Sequence, residues 1–260
     1  MDDIKVRKAL HLLLARRAIS DAEFGGKDTY NKYWFYAAPV GIYLKDYTLS
    51  QEEISKLPGW RQPKDQDIAE AKKLLTEAGY PTGFTWIMDT NPASTGSLSG
   101  DGDGCPRVQG QFKRDYVDTK FLPDMKVECF PREGPLQFKA NVEFAHEMSY
   151  WWSYAHEYDP GLQLHQIYGC NGSRNYTQGC DDKWTQKWEA QQKETDSKKR
   201  AEMLKDLQRY TIEQYWTLLV WSYNQHVSAQ PYVKGIQQWI GPFSGSSGDY
   251  YTARLWLDKK

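Results

Sequence analysis

The sequence predicts an α/β fold, and three observations predict it. In QDIAEAKKLLTEAGYPTGF, Ile68, Ala71, Leu74, Leu75 and Ala78 form an apolar stripe at helical spacing, Gly79 ends the helix and Pro81 prevents its return. FTWIMDT follows at once with strand character. The order then repeats, with RVQGQFKRDYV reading as a helix and MKVECF as a strand. Helices alternating with single strands mark an α/β architecture.

The remaining elements follow in chain order. The opening run MDDIKVRKALHLLLARRAI predicts one helix from about Asp3 to Ala22, capped by Asp2 or Asp3 and ending near Gly25-Gly26. Val6, Ala9, Leu10, Leu13 and Leu14 give it an apolar side. The run lacks the basic, apolar and small-residue zones of a signal peptide. A chain that begins at once on a well-formed helix reads as a fragment of something longer. Residues 27–63 read as irregular and aromatic-rich, and residues 91–106 as loop. FKANVEFAHEMSYWW reads as a second helix-to-strand passage. Two polar helices are expected at roughly 182–195 and 197–214, the second capped by Thr195, Asp196 or Ser197 and striped by Ala201, Leu204, Leu207 and Ile212. TLLVWSYN predicts an apolar strand, and the tail beyond it has little periodicity.

At 260 residues the chain can hold one large domain or two ordinary ones. Its 33 Lys+Arg and 34 Asp+Glu nearly cancel, which excludes the basic excess that nucleic acid or an acidic membrane requires. Mean hydropathy is -0.78, and no stretch approaches the roughly 20 apolar residues of a membrane span. Aromatics are the anomaly: 11 Trp, 18 Tyr and 9 Phe make up 15% of the chain. Two readings stay open, a surface that grips a ligand and a core built from rings.

The four cysteines, Cys105, Cys129, Cys170 and Cys180, form no C-x-x-C. Cys170 and Cys180 flank a Gly- and Asn-rich loop, where a disulfide and two independent thiols are both admissible. Asn171-Gly-Ser173 and Asn175-Tyr-Thr177 are formal glycosylation sequons. The chemical motifs fail when tested. DGDG at 101–104 has Phe112 where a calcium loop needs a bidentate Glu, and His146-Glu147 has Tyr150 where a zinc helix needs His. G-x-S-x-G and the Walker loop are missing from the sequence, and His11, His156, His165 and His226 are scattered. What remains is the aromatic run Tyr150-Trp151-Trp152-Ser153-Tyr154, leading into HEYDPG. It fits a ligand wall, where rings supply area and charges orient, and also a core strand meeting a surface turn.

The order of these motifs resembles the C-terminal half of the family 5 extracytoplasmic solute-binding proteins, the oligopeptide, dipeptide and nickel type that serve ABC importers. DQDIAEAKKLLTEAGYPTGF resembles the family's most specific segment. The opening helix with FGG, VQGQF before MKVECF, EYDPGLQL, the stretch SRNYTQGCDDKW with its paired helices, and PYVKGIQQW fit in the same order. The resemblance implies the second lobe of a two-lobed, periplasmic-binding-protein-like (class II) fold, a mixed sheet flanked by helices. It implies residues 1–218 as the ligand-binding lobe and 219–260 as a crossover strand and tail returning to a first lobe. Such a protein binds a peptide or similar small solute between its lobes and is no enzyme. It works with an ABC permease in the membrane as a monomer, without nucleic acid, metal or cofactor. It is periplasmic or extracytoplasmic, with a lipid anchor open for the parent.

The expected ligand-binding residues are Trp151, Trp152, Tyr154, His156, Glu157 and Asp159. Peptide-binding members often carry an acidic residue four positions before the Pro of the D-P turn, where it pairs with the ligand's amino group. Here that position is His156, with Glu157 one later, so a sugar, opine or other solute stays open beside a peptide. The alternative class is a secreted carbohydrate-active enzyme, which needs two facing carboxylates about 5–10 Å apart.

Overall fold

The computed structural model describes residues 3–26, 30, 34–90, 101–146, 159–223, 230–235 and 256–258. The opening run forms two helices, α1 (Ile4–Leu13) and α2 (Arg16–Glu23), where the sequence predicted one. Asp3 caps α1 through the Lys5 N–H, as expected. The break at Leu14 has a tertiary cause. Tyr116 Oη and Gln111 Nε2 both donate to the Leu13 carbonyl, at 2.6 and 3.2 Å. The Ala15 N–H donates to Gln111 Oε1 at 3.3 Å. Side chains from about a hundred residues away thus occupy backbone groups that a continuous helix would pair internally.

Within the expected irregular stretch lie β1 (Trp34–Tyr36) and α3 (Gln51–Lys56), the latter capped by Ser50 through the Glu53 N–H. The predicted amphipathic helix is α4 (Asp65–Glu77). Its Ala71 and Leu75 are fully buried, Ile68, Leu74 and Ala78 flank them, and Gly79 adopts φ +88° to end it. Next come β2 (Thr85–Thr90), α5 (Asp101–Phe112), a wide π turn over 113–117, and β3 (Lys126–Pro131). α5 corrects the expectation of loop over residues 101–106. Cys105 is buried and bonded to Cys129 of β3, which anchors the helix start to the sheet despite Gly102, Gly104 and Pro106. That pairing was not anticipated.

β2 and β3 pair in parallel, with Thr85 opposite Lys126 and Thr90 opposite Pro131. α6 (Gly134–Val142), α7 (Pro160–Tyr168), α8 (Asp182–Gln192) and α9 (Ser197–Glu213) follow, the last capped by Asp196. β4 (Trp221–Tyr223), the shortened form of the expected TLLVWSYN strand, pairs antiparallel with β1. β5 (Val233–Lys234) pairs antiparallel with β6 (Trp256–Leu257). The architecture is therefore α/β with parallel and antiparallel pairing, held in two-stranded units among the described residues.

Three apolar clusters hold these elements. The largest joins α1, α2, α4, α5, β2 and β3 around Leu10, Leu13, Leu75, Trp86 and Phe112. A second joins α7, α8 and α9 around Leu164, Trp184, Leu204 and Leu207. The third gathers Trp34, Tyr36, Ile54 and Trp60. Trp34, Trp60, Trp86 and Trp184 are all fully buried, so the core reading of the aromatic excess holds at these positions. Cys170 and Cys180 are disulfide-bonded across their loop, which resolves that open choice. Among the described residues, no helix is long and apolar enough to cross a membrane.

Candidate ligand-binding site

Open α/β sheets bind ligands outside the carboxyl ends of their strands. In the β2–β3 pair that edge lies at Thr90 and Pro131. The backbone there is extended by one more bond, from the Arg132 N–H to the Thr90 carbonyl at 2.8 Å. Asp89, only 2% exposed, takes a hydrogen bond from Arg132 Nε at 2.7 Å. A buried carboxylate needs such a partner to offset its desolvation. The Arg132 guanidinium also lies 4.9 Å from the centre of the exposed Phe130 ring.

α6 covers this edge in an unusual way. Its buried face carries Gln137, Ala140 and Asn141, and its exposed face carries Leu136, Phe138 and Val142. Gln137 Nε2 donates to the Asp89 carbonyl at 3.3 Å. Asn141, one turn further on, is fully buried, and neither atom of its amide group is hydrogen-bonded. The polarity of the helix is thus inverted relative to an ordinary surface helix, which buries its apolar stripe. Phe138 meets the Tyr176 ring edge-on at 6.5 Å, which brings the 170–180 loop beside the same edge.

That loop is rigidly built. Asn175 is buried and donates its amide group to the Gly169 and Gly179 carbonyls at 2.9 and 2.7 Å, while Thr177 Oγ1 donates to Asn175 Oδ1. The second sequon is therefore a structural turn. α8 and α9 back the loop. Trp184 Nε1 donates to Thr211 Oγ1 at 2.8 Å, and Tyr210 Oη to Asp181 Oδ1 at 3.1 Å.

Of the expected site residues, Trp151, Trp152, Tyr154, His156 and Glu157 lie outside the described residues. Asp159 is described, and both its oxygens are engaged. Oδ1 caps α7 by accepting the Leu162 N–H at 2.9 Å, and Oδ2 accepts from Arg200 at 2.6 Å. Proline at the first position of α7 suits this start, because its missing N–H would have had no helical acceptor. Asp89, Arg132, Gln137 and Asn141 escaped the sequence reading. The available signal was an acidic residue closing an otherwise apolar strand. Among the described residues, no group of three His, Cys, Asp or Glu side chains gathers as metal ligands would.

A paired charge, buried amides and exposed rings at a strand edge make a surface suited to a polar solute with apolar parts. Comparison with solved structures places the fold. The chain is similar to Haemophilus influenzae OppA in complex with RPPGFSPFR, at 20% identity and a TM-score of 0.69 over 99% of this chain and 46% of that one. It is similar to the Escherichia coli murein tripeptide binding protein MppA, at 15% identity and a TM-score of 0.73 over 99% and 46%. It is also similar to the Helicobacter pylori ABC transporter-associated periplasmic binding protein DppA in complex with peptide STSA, at 18% identity and a TM-score of 0.68 over 99% and 44%. The chain thus has the fold found in family 5 solute-binding proteins, as the order of its sequence motifs implied. It spans slightly less than half the length of each of these structures, 44–46%. Neither a protein-family model nor a curated protein sequence matches it.

Proposed function

We propose that this chain is one lobe of the substrate-binding component of an ABC importer and holds a peptide or similar small solute against a second lobe. The observation that carries this reading is the likeness over nearly the whole chain to binding proteins, two of them described in complex with peptides. In this reading residues 1–218 form the ligand lobe, and 219–260 cross back toward the other. Trp151, Trp152, Tyr154, His156, Glu157 and Asp159 line the cleft. An importer permease is the membrane partner, and the intact protein is monomeric. Two disulfides suit an oxidising compartment, which supports a periplasmic or extracytoplasmic location. The function is binding without catalysis: affinity comes from burying solute between closing lobes, and orientation from a few polar groups.

Glu157→Gln in the two-lobed protein tests the cleft assignment. Calorimetry is expected to show weaker binding of peptides with a free amino group and little change for N-acetylated ones. Equal affinity of wild type and variant for free-amino peptides would remove the amine-pairing role.

A further inference from the structure

The strongest polar cluster lies away from the strand edge, where α1, α2, the 58–60 turn, α4 and the segment leaving α9 meet. His11 and Arg16 sit at its centre, each 1% exposed. Both ring nitrogens of His11 are engaged: Nε2 lies 3.0 Å from the Pro58 carbonyl, and Nδ1 lies 3.1 Å from Arg16 Nη2. A guanidinium can only donate and a carbonyl can only accept. The contacts therefore fix one neutral tautomer, with the proton on Nε2 and a lone pair on Nδ1.

Arg16 spends its other donors on the backbone of three separate segments. Nη1 donates to the His11 and Gly59 carbonyls at 2.8 Å each, and Nε donates to the Leu219 carbonyl at 2.6 Å. Trp60 lies under the guanidinium at 4.4 Å. The Leu219 contact matters because residues 218–221 bridge two clusters, Leu218 and Val220 against the largest and Leu219 against the third. Trp221 touches both and then enters β4.

We propose that His11 and Arg16 form an acid-released clasp on residues 215–221. A proton taken from solvent at Nδ1 removes the acceptor that Arg16 uses and places a cation 3.1 Å from another. The surroundings are poorly equipped to absorb it. The charged groups facing His11 are Arg16 from α2, Lys64 at the start of α4, and Lys8 from its own helix. Asp67, fully buried, already serves the Gly59 N–H, Arg61 and Lys64, and Glu70 pairs with Lys8 at 2.6 Å. Tyr215 and Trp60 meet the imidazole edge-on at 5.0 and 4.6 Å. Gly59 presses so closely that a Cβ there would lie 2.5 Å from the ring, so the imidazole has no room to turn away.

Burial first, then the Arg16 charge, holds the His11 pKa well below its ordinary value. Burial also lowers Arg16, to about 9, which leaves it cationic at neutral pH. The sign follows. The folded state disfavours the His11 proton, so the clasp is intact above the unfolded value of about 6.5 and weakens as the pH falls below it. With a factor of ten per pH unit, the clasped state loses up to about 30-fold by pH 5.0.

Hydrogen exchange on this chain, with rates divided by the intrinsic rate at each pH, tests the clasp. Between pH 7.5 and 5.0, protection over residues 215–223 is expected to fall by about 10- to 30-fold while α8 and α9 keep theirs. His11→Gln should show no such pH dependence, whatever its absolute protection. Protection at 215–223 that is independent of pH in wild type, an equal loss throughout α8 and α9, or an equal loss in His11→Gln would each overturn the proposal. If the variant does not fold, nitrogen NMR of wild-type His11 decides. Protonation coinciding with the loss of protection supports the clasp, and protonation without that loss refutes it.

Discussion

Replacing Arg16 by Met keeps most of the stem volume and removes every donor of the guanidinium. Three carbonyls, of His11, Gly59 and Leu219, then lose a charged donor inside the protein. Hydrogen bonds to charged groups contribute about 1.5–3 kcal/mol each, so the gross loss is about 4.5–9 kcal/mol. Relief from desolvating the cation returns several kcal/mol, since burying a charge is itself costly. A net destabilisation of about 3–5 kcal/mol remains, within the range for removing one member of a buried charged network. For a chain of this size that corresponds to a fall in melting temperature of about 6–20 °C. Urea unfolding followed by tryptophan fluorescence reads it directly, with Trp60 reporting next to the lost group. A loss under about 1 kcal/mol at unchanged m-value would refute the reasoning and mean that the stacked guanidinium contributes little net stability.

Other outcomes follow from the same structure. Cys170 and Cys180 are exposed while Cys105 is buried, so graded thiol treatment with differential alkylation should open the 170–180 bond first; earlier opening of Cys105–Cys129 would contradict the packing. Asp159→Ala removes the α7 cap and the half-exposed Arg200 pair, and should cost about 1–2 kcal/mol in denaturant unfolding, mostly from the cap. An unchanged midpoint would show that the cap contributes nothing.

The parts legible in the sequence were those fixed locally. α4 carries its apolar stripe, its Gly79 stop and its Pro81 within one short stretch, and the adjoining β2 follows directly. α9 likewise announces Asp196 and its buried Ala201, Leu204 and Leu207. The break between α1 and α2 was illegible because its cause, Gln111 and Tyr116, lies on distant elements. The helical start of α5 was hidden by glycines that favour loops, and the Cys105–Cys129 bond that anchors it spans 24 residues. At the candidate site the aromatic run drew attention to residues 150–154, whereas Asp89, Arg132, Gln137 and Asn141 come together only once β2, β3 and α6 are assembled. Asp159 shows the converse: a D-P turn expected to contact ligand caps a helix, and sequence alone does not distinguish capping from ligand binding.

The most direct test of the proposed solute binding is a thermal-shift screen of the proposed two-lobed parent against short peptides, sugars and nickel complexes, run beside this chain alone. A ligand at a hundred times its Kd stabilises the native state by about 2.7 kcal/mol, which is a readable shift. A clear rise is expected for peptides in the proposed two-lobed parent, with no submicromolar binding by this chain alone. A flat response across all three classes, or submicromolar binding by this chain alone, would contradict the proposed function.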